Sequence, residues 1–128
     1  MSYRSPLAQA QGLGSAKEGV AHWWMQRLTA LALIPLVGWM FFGVLQLTGA
    51  DYQAVRHWVA TPFNGIALIC LVLALCYHSS LGVQVVTEDY VRRQWLRRLI
   101  IIVVYFLKVL IAVTSIFAIL KIALEVAV

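Results

Sequence analysis

The sequence predicts an all-α membrane protein with three transmembrane helices. Of its 128 residues, 62% are hydrophobic and only 12% are charged, whereas soluble domains are typically about half apolar and about a quarter charged. Three apolar runs account for this composition, and each is long enough to cross about 30 Å of hydrocarbon as a helix. The core of a soluble domain this short could not bury so much apolar surface.

Short polar connectors separate the three apolar runs. Apart from Lys108, the runs contain no Asp, Glu, Lys or Arg, and they comprise residues 28–47, 63–86 and 99–120. We therefore predict an N-terminal segment over residues 1–22, followed by a transmembrane domain over residues 23–124. Its helices are predicted to span about residues 24–47, 63–86 and 99–122.

The distribution of cations predicts the orientation of these helices. Seven Lys and Arg residues lie before the first run or in the second connector, against two in the first connector and at the C-terminal end. Because cytoplasmic connectors are enriched in Lys and Arg, we predict a cytoplasmic N-terminus and a periplasmic C-terminus. The predicted location is the bacterial inner membrane, in preference to the mitochondrial inner membrane. The net charge of +5 is thus interpreted as a topology signal beside lipid, and no nucleic-acid partner is predicted.

His78 is the main candidate functional residue, because polar side chains inside a span are costly and often functional. It lies eight residues before the end of the second run, about 12 Å inside the membrane boundary. Imidazole is a good ligand for haem iron, and the alternative is a histidine hydrogen-bonded to a neighbouring helix. Ala74 and Gly82 lie one turn to either side on the same face, where small residues admit either a flat macrocycle or a closely packed helix.

Three further candidates lie near the predicted cytoplasmic boundary. Asp89 and Tyr90 follow His78 by eleven and twelve residues. A phenol at that depth can donate a hydrogen bond to a quinone, and an adjacent carboxylate can relay protons; the alternative is an interfacial tyrosine beside a solvated aspartate. Arg27 could clamp a haem propionate or a quinone oxygen, or it could extend to lipid phosphate.

Two other polar residues have more than one interpretation. Lys108 lies nine residues after Leu99, inside the third run, where a lysine is expensive unless it extends to the interface or finds a partner. It could reach the cytoplasmic interface or a haem propionate. His22 lies near the N-terminal interface and could border a quinone pocket.

Two sequence motifs resemble those of a known family. The stretch 78–91, with Gly82 four residues after His78 and the pair Asp89 and Tyr90 at eleven and twelve, resembles the pattern of the D-type membrane anchor subunits of succinate dehydrogenase. The stretch 24–30 resembles the arginine followed by small residues that opens the first helix in that family. The length and the three-span plan also agree, so the resemblance covers nearly the whole chain.

This resemblance implies a role for each candidate residue. His78 would be an axial ligand of the iron of haem b, and a C-type cytochrome b anchor subunit would supply the second ligand and complete the helical bundle. Arg27 and Gly82 would belong to the cofactor-binding surface. Tyr90 and Asp89 would contact ubiquinone, which is the substrate reduced at the membrane.

The resemblance also implies that the chain is a non-flavin subunit of a succinate:ubiquinone oxidoreductase. Succinate oxidation itself would take place on a flavoprotein subunit, and electrons would pass through an iron–sulfur subunit to ubiquinone. The chain would tether both soluble subunits to the membrane. Two alternatives stay open: the anchor subunit of a fumarate reductase, or a haemless membrane assembly or accessory protein.

Overall fold

The computed structural model describes residues 17–127, which are helical except for short connections. The four helices are α1 (Lys17–Gln46), α2 (Tyr52–Ala60), α3 (Pro62–Tyr90) and α4 (Gln94–Ala127). Three helical stretches are long and apolar enough to cross a membrane, and they are Gly19–Gln46, Pro62–Tyr90 and Gln94–Val126. The predicted fold class, with three apolar helices and no strand in the described range, is confirmed.

The spanning helices extend beyond the apolar runs that predicted them. Helix α3 continues to Tyr90 and α4 begins at Gln94, which reduces the second connector to residues 91–93. Charged and polar side chains are tolerated in these end turns because they reach the headgroup region. Of the predicted N-terminal segment, residues 1–16 lie outside the described residues, whereas residues 17–22 already belong to α1.

The first predicted connector contains the short helix α2. It begins after Asp51, whose carboxylate accepts a hydrogen bond of 2.8 Å from the backbone N–H of Ala54, and this bond caps the first turn. It stops at Thr61, because Pro62 opens the next helix and proline is well suited to the first helical position. The chain therefore turns a sharp corner before α3 re-enters the membrane.

Helix α3 lies in the middle of the described part of the chain. It packs against α1 and against α4, whereas α1 and α4 do not pack against each other. In a closed three-helix bundle each helix would contact both others, so these three helices form an open row. Among the described residues, the most deeply buried side chains all lie on α3, and they are Leu71, Ser80, Leu81 and Thr87.

Large apolar side chains cover the outside of this row. Phe106 on α4 is 75% exposed and Ile34 on α1 is 69% exposed within the single chain. Continuous apolar surfaces of this kind mark contact with lipid or with other subunits. Contacts within the chain therefore account for only a small part of the surroundings of its side chains.

Aromatic stacking and an ion pair hold α2 against the ends of α1 and α4. The ring of Trp39 on α1 stacks on that of Trp58 on α2, with centroids 5.4 Å apart and planes 17° from parallel. Arg56 on α2 forms an ion pair of 2.9 Å with Glu125 on α4. We call these four residues the α2 clamp. The aromatic pair contributes about 0.5–1.5 kcal/mol beyond its buried area, and the partly exposed ion pair contributes less.

Gly43 allows α1 to approach the α2 clamp closely. A Cβ at this position would lie 2.6 Å from Cζ2 of Trp58, and that ring is already stacked against Trp39. We expect Gly43→Ala to destabilise the detergent-solubilised protein by about 1–3 kcal/mol through overpacking, measured as a lower midpoint of thermal unfolding. Gly38→Ala is the matched control, because a Cβ there meets nothing within 4 Å. Equal losses in the two variants would contradict this explanation.

Candidate functional site

A group of polar residues lies between α1 and the C-terminal half of α3. Its members come from both helices, and we call them the α1–α3 polar cluster: His22, Gln26, Thr29, His78, Gln84 and Glu88. The three members on α1 are spaced by four and three residues, which places them on one face of the helix. That face is directed at α3, because its residues contact His78 and share a cavity with Gln84.

Both ring nitrogens of His78 face α1. Its Nδ1 lies 2.9 Å from Oγ1 of Thr29, and its Nε2 lies 3.4 Å from the amide nitrogen of Gln26. The Thr29 hydroxyl has a single proton and lies 2.8 Å from the carbonyl oxygen of Met25, so we assign its proton to that bond. The hydroxyl oxygen then accepts the Nδ1–H of His78, and the lone pair of the imidazole is on Nε2.

This hydrogen-bonding pattern makes Nε2 of His78 the available ligand atom. Metal-binding histidines usually donate their other ring N–H to a protein oxygen, which fixes the tautomer and the orientation of the ring, and Thr29 supplies that oxygen. The Gln26 amide holds Nε2 only through a contact of 3.4 Å, which is long for a hydrogen bond. Displacement of Gln26 would therefore cost little. The same two contacts also agree with a histidine that joins neighbouring helices.

Two buried polar atoms of the cluster have no hydrogen-bond partner within the described residues. They are Nε2 of His22 and Oε1 of Gln26. An unpaired buried polar atom costs about 1–3 kcal/mol, so such atoms usually meet water, a ligand or another chain. His22 also lines an open cavity of about 350 Å³ with Gly19, Gln84 and Glu88. Within the described residues the cluster therefore leaves part of its hydrogen-bonding capacity unused.

Gly82 lies beside the cluster, one turn beyond His78. A Cβ on Gly82 would meet the amide nitrogen of Gln26 at 3.7 Å, which is an ordinary van der Waals distance. The packing of α1 on α3 therefore does not by itself require glycine at this position. The Gln26 amide lies close to both His78 and Gly82, so the same side chain limits access to both residues.

The remaining predicted site residues are exposed. Asp89 and Tyr90 form the last turn of α3, and Tyr90 is 81% exposed. Arg27 projects from α1 with its guanidinium carbon 5.1 Å from the centre of the Trp23 ring. In the part of the chain that the structure describes, none of these three residues hydrogen-bonds to the polar cluster.

Gln26 and Thr29 are the partners of His78 that the sequence pattern did not reveal. One available signal was their spacing with His22, which produces a polar stripe at the start of an apolar helix. The stripe indicates that this face is directed at protein. It does not indicate which residue on which helix faces it, because the register between two helices depends on their packing.

Comparisons with known proteins find relatives along most of the chain. The family model described as succinate dehydrogenase/fumarate reductase transmembrane subunit matches residues 1–119. The succinate dehydrogenase hydrophobic membrane anchor subunit of Rickettsia bellii is 35% identical over 117 residues, or 91% of this chain and 94% of that protein. The subunit of the same name from Rickettsia conorii is 35% identical over 103 residues, or 80% and 82% of the two chains. That from Paracoccus denitrificans is 29% identical over 90 residues, or 70% of each.

Proposed function

Because the chain belongs to the family of succinate dehydrogenase/fumarate reductase transmembrane subunits, we propose that it helps to bind haem b and ubiquinone in a succinate:ubiquinone oxidoreductase. It would do so together with a C-type cytochrome b anchor subunit, and it would tether the flavoprotein and iron–sulfur subunits to the membrane. Succinate oxidation would take place on the flavoprotein. The three relatives described above are all succinate dehydrogenase subunits by name, which favours this direction over fumarate reduction.

The hydrogen bonding of His78 is the observation that carries the haem proposal. The Nδ1–H is held by Thr29 at 2.9 Å, and Nε2 has only the long contact with Gln26. His78 would hold haem iron through Nε2, with Gly82 providing room beside it. The unpartnered Oε1 of Gln26 and Nε2 of His22 support a site that a further group completes. When bound, haem b supplies a one-electron carrier within the membrane.

Tyr90 and Asp89 are proposed to contact the quinone. Their place in the exposed last turn of α3 leaves the phenol free to donate a hydrogen bond to a quinone carbonyl. The adjacent carboxylate would receive and pass on protons as the quinone is reduced. Arg27 is proposed to pair with an acidic group of the cofactor, because its guanidinium can form a bidentate hydrogen bond with a carboxylate.

The soluble subunits are proposed to dock at the end of the molecule where α3 ends and α4 begins. This end contains Tyr90 and a group of cations, namely Arg92, Arg93, Arg97 and Arg98. The bias of cations toward it supports a cytoplasmic location for this end and a periplasmic C-terminus in a bacterial inner membrane. The open row of α1, α3 and α4 supports completion of the bundle by a partner anchor subunit.

Purification of the complex in mild detergent tests this proposal. The tagged chain is expected to carry with it a second membrane subunit, an iron–sulfur subunit and a flavoprotein, and to show a b-type haem band in a reduced-minus-oxidised spectrum. Succinate–quinone activity without that band would support a haemless anchor, in which His78 joins α3 to α1 through Thr29 and Gln26. Absence of the flavoprotein and of the activity would contradict the proposal as a whole.

A further inference from the structure

Lys108 places a positive charge deep in the membrane. It lies ten residues after Arg98 on α4, which is about 15 Å along the helix axis and half the thickness of the hydrocarbon core. A lysine at this depth is costly, and such residues usually face the protein interior and pair with another group. The groups that surround Lys108 therefore indicate what this part of the helix contacts in the membrane.

Within the described residues, two aromatic rings contact this charge. The Nζ atom lies 3.8 Å from the centre of the Tyr105 ring and 5.7 Å from that of Tyr77. Cation–π contacts offset part of the cost of a charge in hydrocarbon. They provide no oxygen acceptors for the three N–H donors of the ammonium group, so Lys108 is only partly satisfied.

No carboxylate of this chain lies at the depth of Lys108. All five Asp and Glu residues fall outside the apolar runs, and the ion pairs formed within the described residues involve only Glu125, with Arg56 and with Lys121. A second copy of the chain would have its acids at the same shallow levels. Neither this chain nor a copy of it therefore provides a carboxylate partner for Lys108.

A groove between α3 and α4 leads to Lys108. It has a volume of about 380 Å³ and is open along one side. Cys76, Ser79 and Ser80 contribute to its α3 wall, and Leu107 and Lys108 to its α4 wall. The hydroxyl of Ser80 donates to the carbonyl of Tyr77 at 2.8 Å, and that of Ser79 to the carbonyl of Leu75. Small residues of this kind allow a further helix to approach closely.

We propose that this groove receives a transmembrane helix of another subunit, which presents an Asp or Glu carboxylate to Lys108. The depth of the residue argues for a side chain rather than a lipid phosphate, because the Cα of Lys108 lies about 15 Å along the helix axis from the level of Arg98, near the middle of the hydrocarbon core. The proposal rests on the family assignment, since it requires other membrane subunits. It is separate from haem binding at His78, whose hydrogen bonds within the described residues are to Thr29 and Gln26 on α1.

Substitutions of Lys108 in the intact complex test the charge. We expect Lys108→Met to reduce the amount of the neighbouring membrane subunit that stays with the tagged chain in detergent by on the order of tenfold, at equal accumulation in the membrane. Lys108→Arg should retain it, because the charge is kept. Lys121→Met is the matched control, since Lys121 is 62% exposed near the end of the same helix. Equal retention in Lys108→Met and the unsubstituted complex would overturn the proposal.

A photocrosslinking amino acid in place of Ser79, in a chain that is otherwise unsubstituted, identifies what occupies the groove. This test works even if the Lys108→Met variant does not accumulate in the membrane. The crosslinked peptide is expected to be a transmembrane segment that contains Asp or Glu. Exchange of the two charges, with Lys108→Glu and Lys in place of that acid, should then restore retention. Crosslinks to lipid, to a second copy or to a helix without an acid would each refute the proposal. The reduced-minus-oxidised spectrum of the same samples reports on the haem proposal separately.

Discussion

The b-type haem band of the purified complex is expected to disappear when His78 is replaced by Ala. The substitution removes Nε2, which is the ligand atom left available by the bond from Nδ1 to Thr29, and alanine offers no replacement. The measurement is the reduced-minus-oxidised spectrum, normalised to the amount of this subunit. His57→Ala is the matched control, because His57 is exposed on α2 at the opposite end of the molecule.

Thr29→Val separates the ligand role of His78 from a packing role. Valine keeps the shape of threonine but removes the oxygen that accepts the Nδ1–H. Loss of such an outer partner typically weakens binding at a metal site by about 10- to 100-fold, so we expect the haem to be retained but to dissociate more readily. An unchanged band in His78→Ala would contradict the ligand role, and His78 would then be a residue that joins α1 to α3.

Tyr90→Phe is expected to lower succinate–quinone activity by about 10- to 100-fold and to leave succinate oxidation with a soluble artificial acceptor nearly unchanged. The substitution removes one hydroxyl, and a hydrogen bond to a group that gains negative charge is worth about 1.5–3 kcal/mol. Under the proposed function, flavin chemistry would take place on a soluble subunit and would not involve this position. Both activities are measured in the same membrane preparation.

Tyr52→Phe provides the control for Tyr90→Phe. Tyr52 begins α2 at the opposite end of the molecule and is 73% exposed. The substitution Tyr52→Phe therefore removes the same hydroxyl group far from the proposed quinone contact. We expect it to leave both activities unchanged. If Tyr90→Phe reduced the two activities equally, or if Tyr52→Phe matched it, the proposed contact with quinone would be wrong.

The three spanning helices were predictable because lipid imposes a simple rule on composition. A run of about 20 apolar residues satisfies its backbone only as a helix, and the three runs had little ambiguity. Helix α2 was harder to predict because it is short and lies in a polar connector. Its cap Asp51 and its apolar residues Val55, Trp58 and Val59, spaced by three and one, were nevertheless present as a signal.

The site was predictable only in part. The position of His78 inside a span and the small residue Gly82 one turn away pointed to a functional face. The partners Thr29 and Gln26 come from a helix about 50 residues earlier in the chain, and their alignment depends on how α1 packs against α3. Tyr90 and Arg27 were identified from the motifs alone, and within the described residues neither side chain is enclosed by another helix.

Helix α1 is held from one side only, because it packs against α3 and not against α4. Trp39 and Gly43 anchor one end of α1 to α2, and no such aromatic stack joins its other end to α3 in the described range. A tilt of about 10° around Trp39 would displace the N-terminal end of α1, about 33 Å away along the helix axis, by about 6 Å. That lever motion would disrupt the contacts of His78 with Thr29 and Gln26 while the α3–α4 pair stayed intact. Such a tilt would widen the space between α1 and α3 at the end of the molecule that contains the α1–α3 polar cluster.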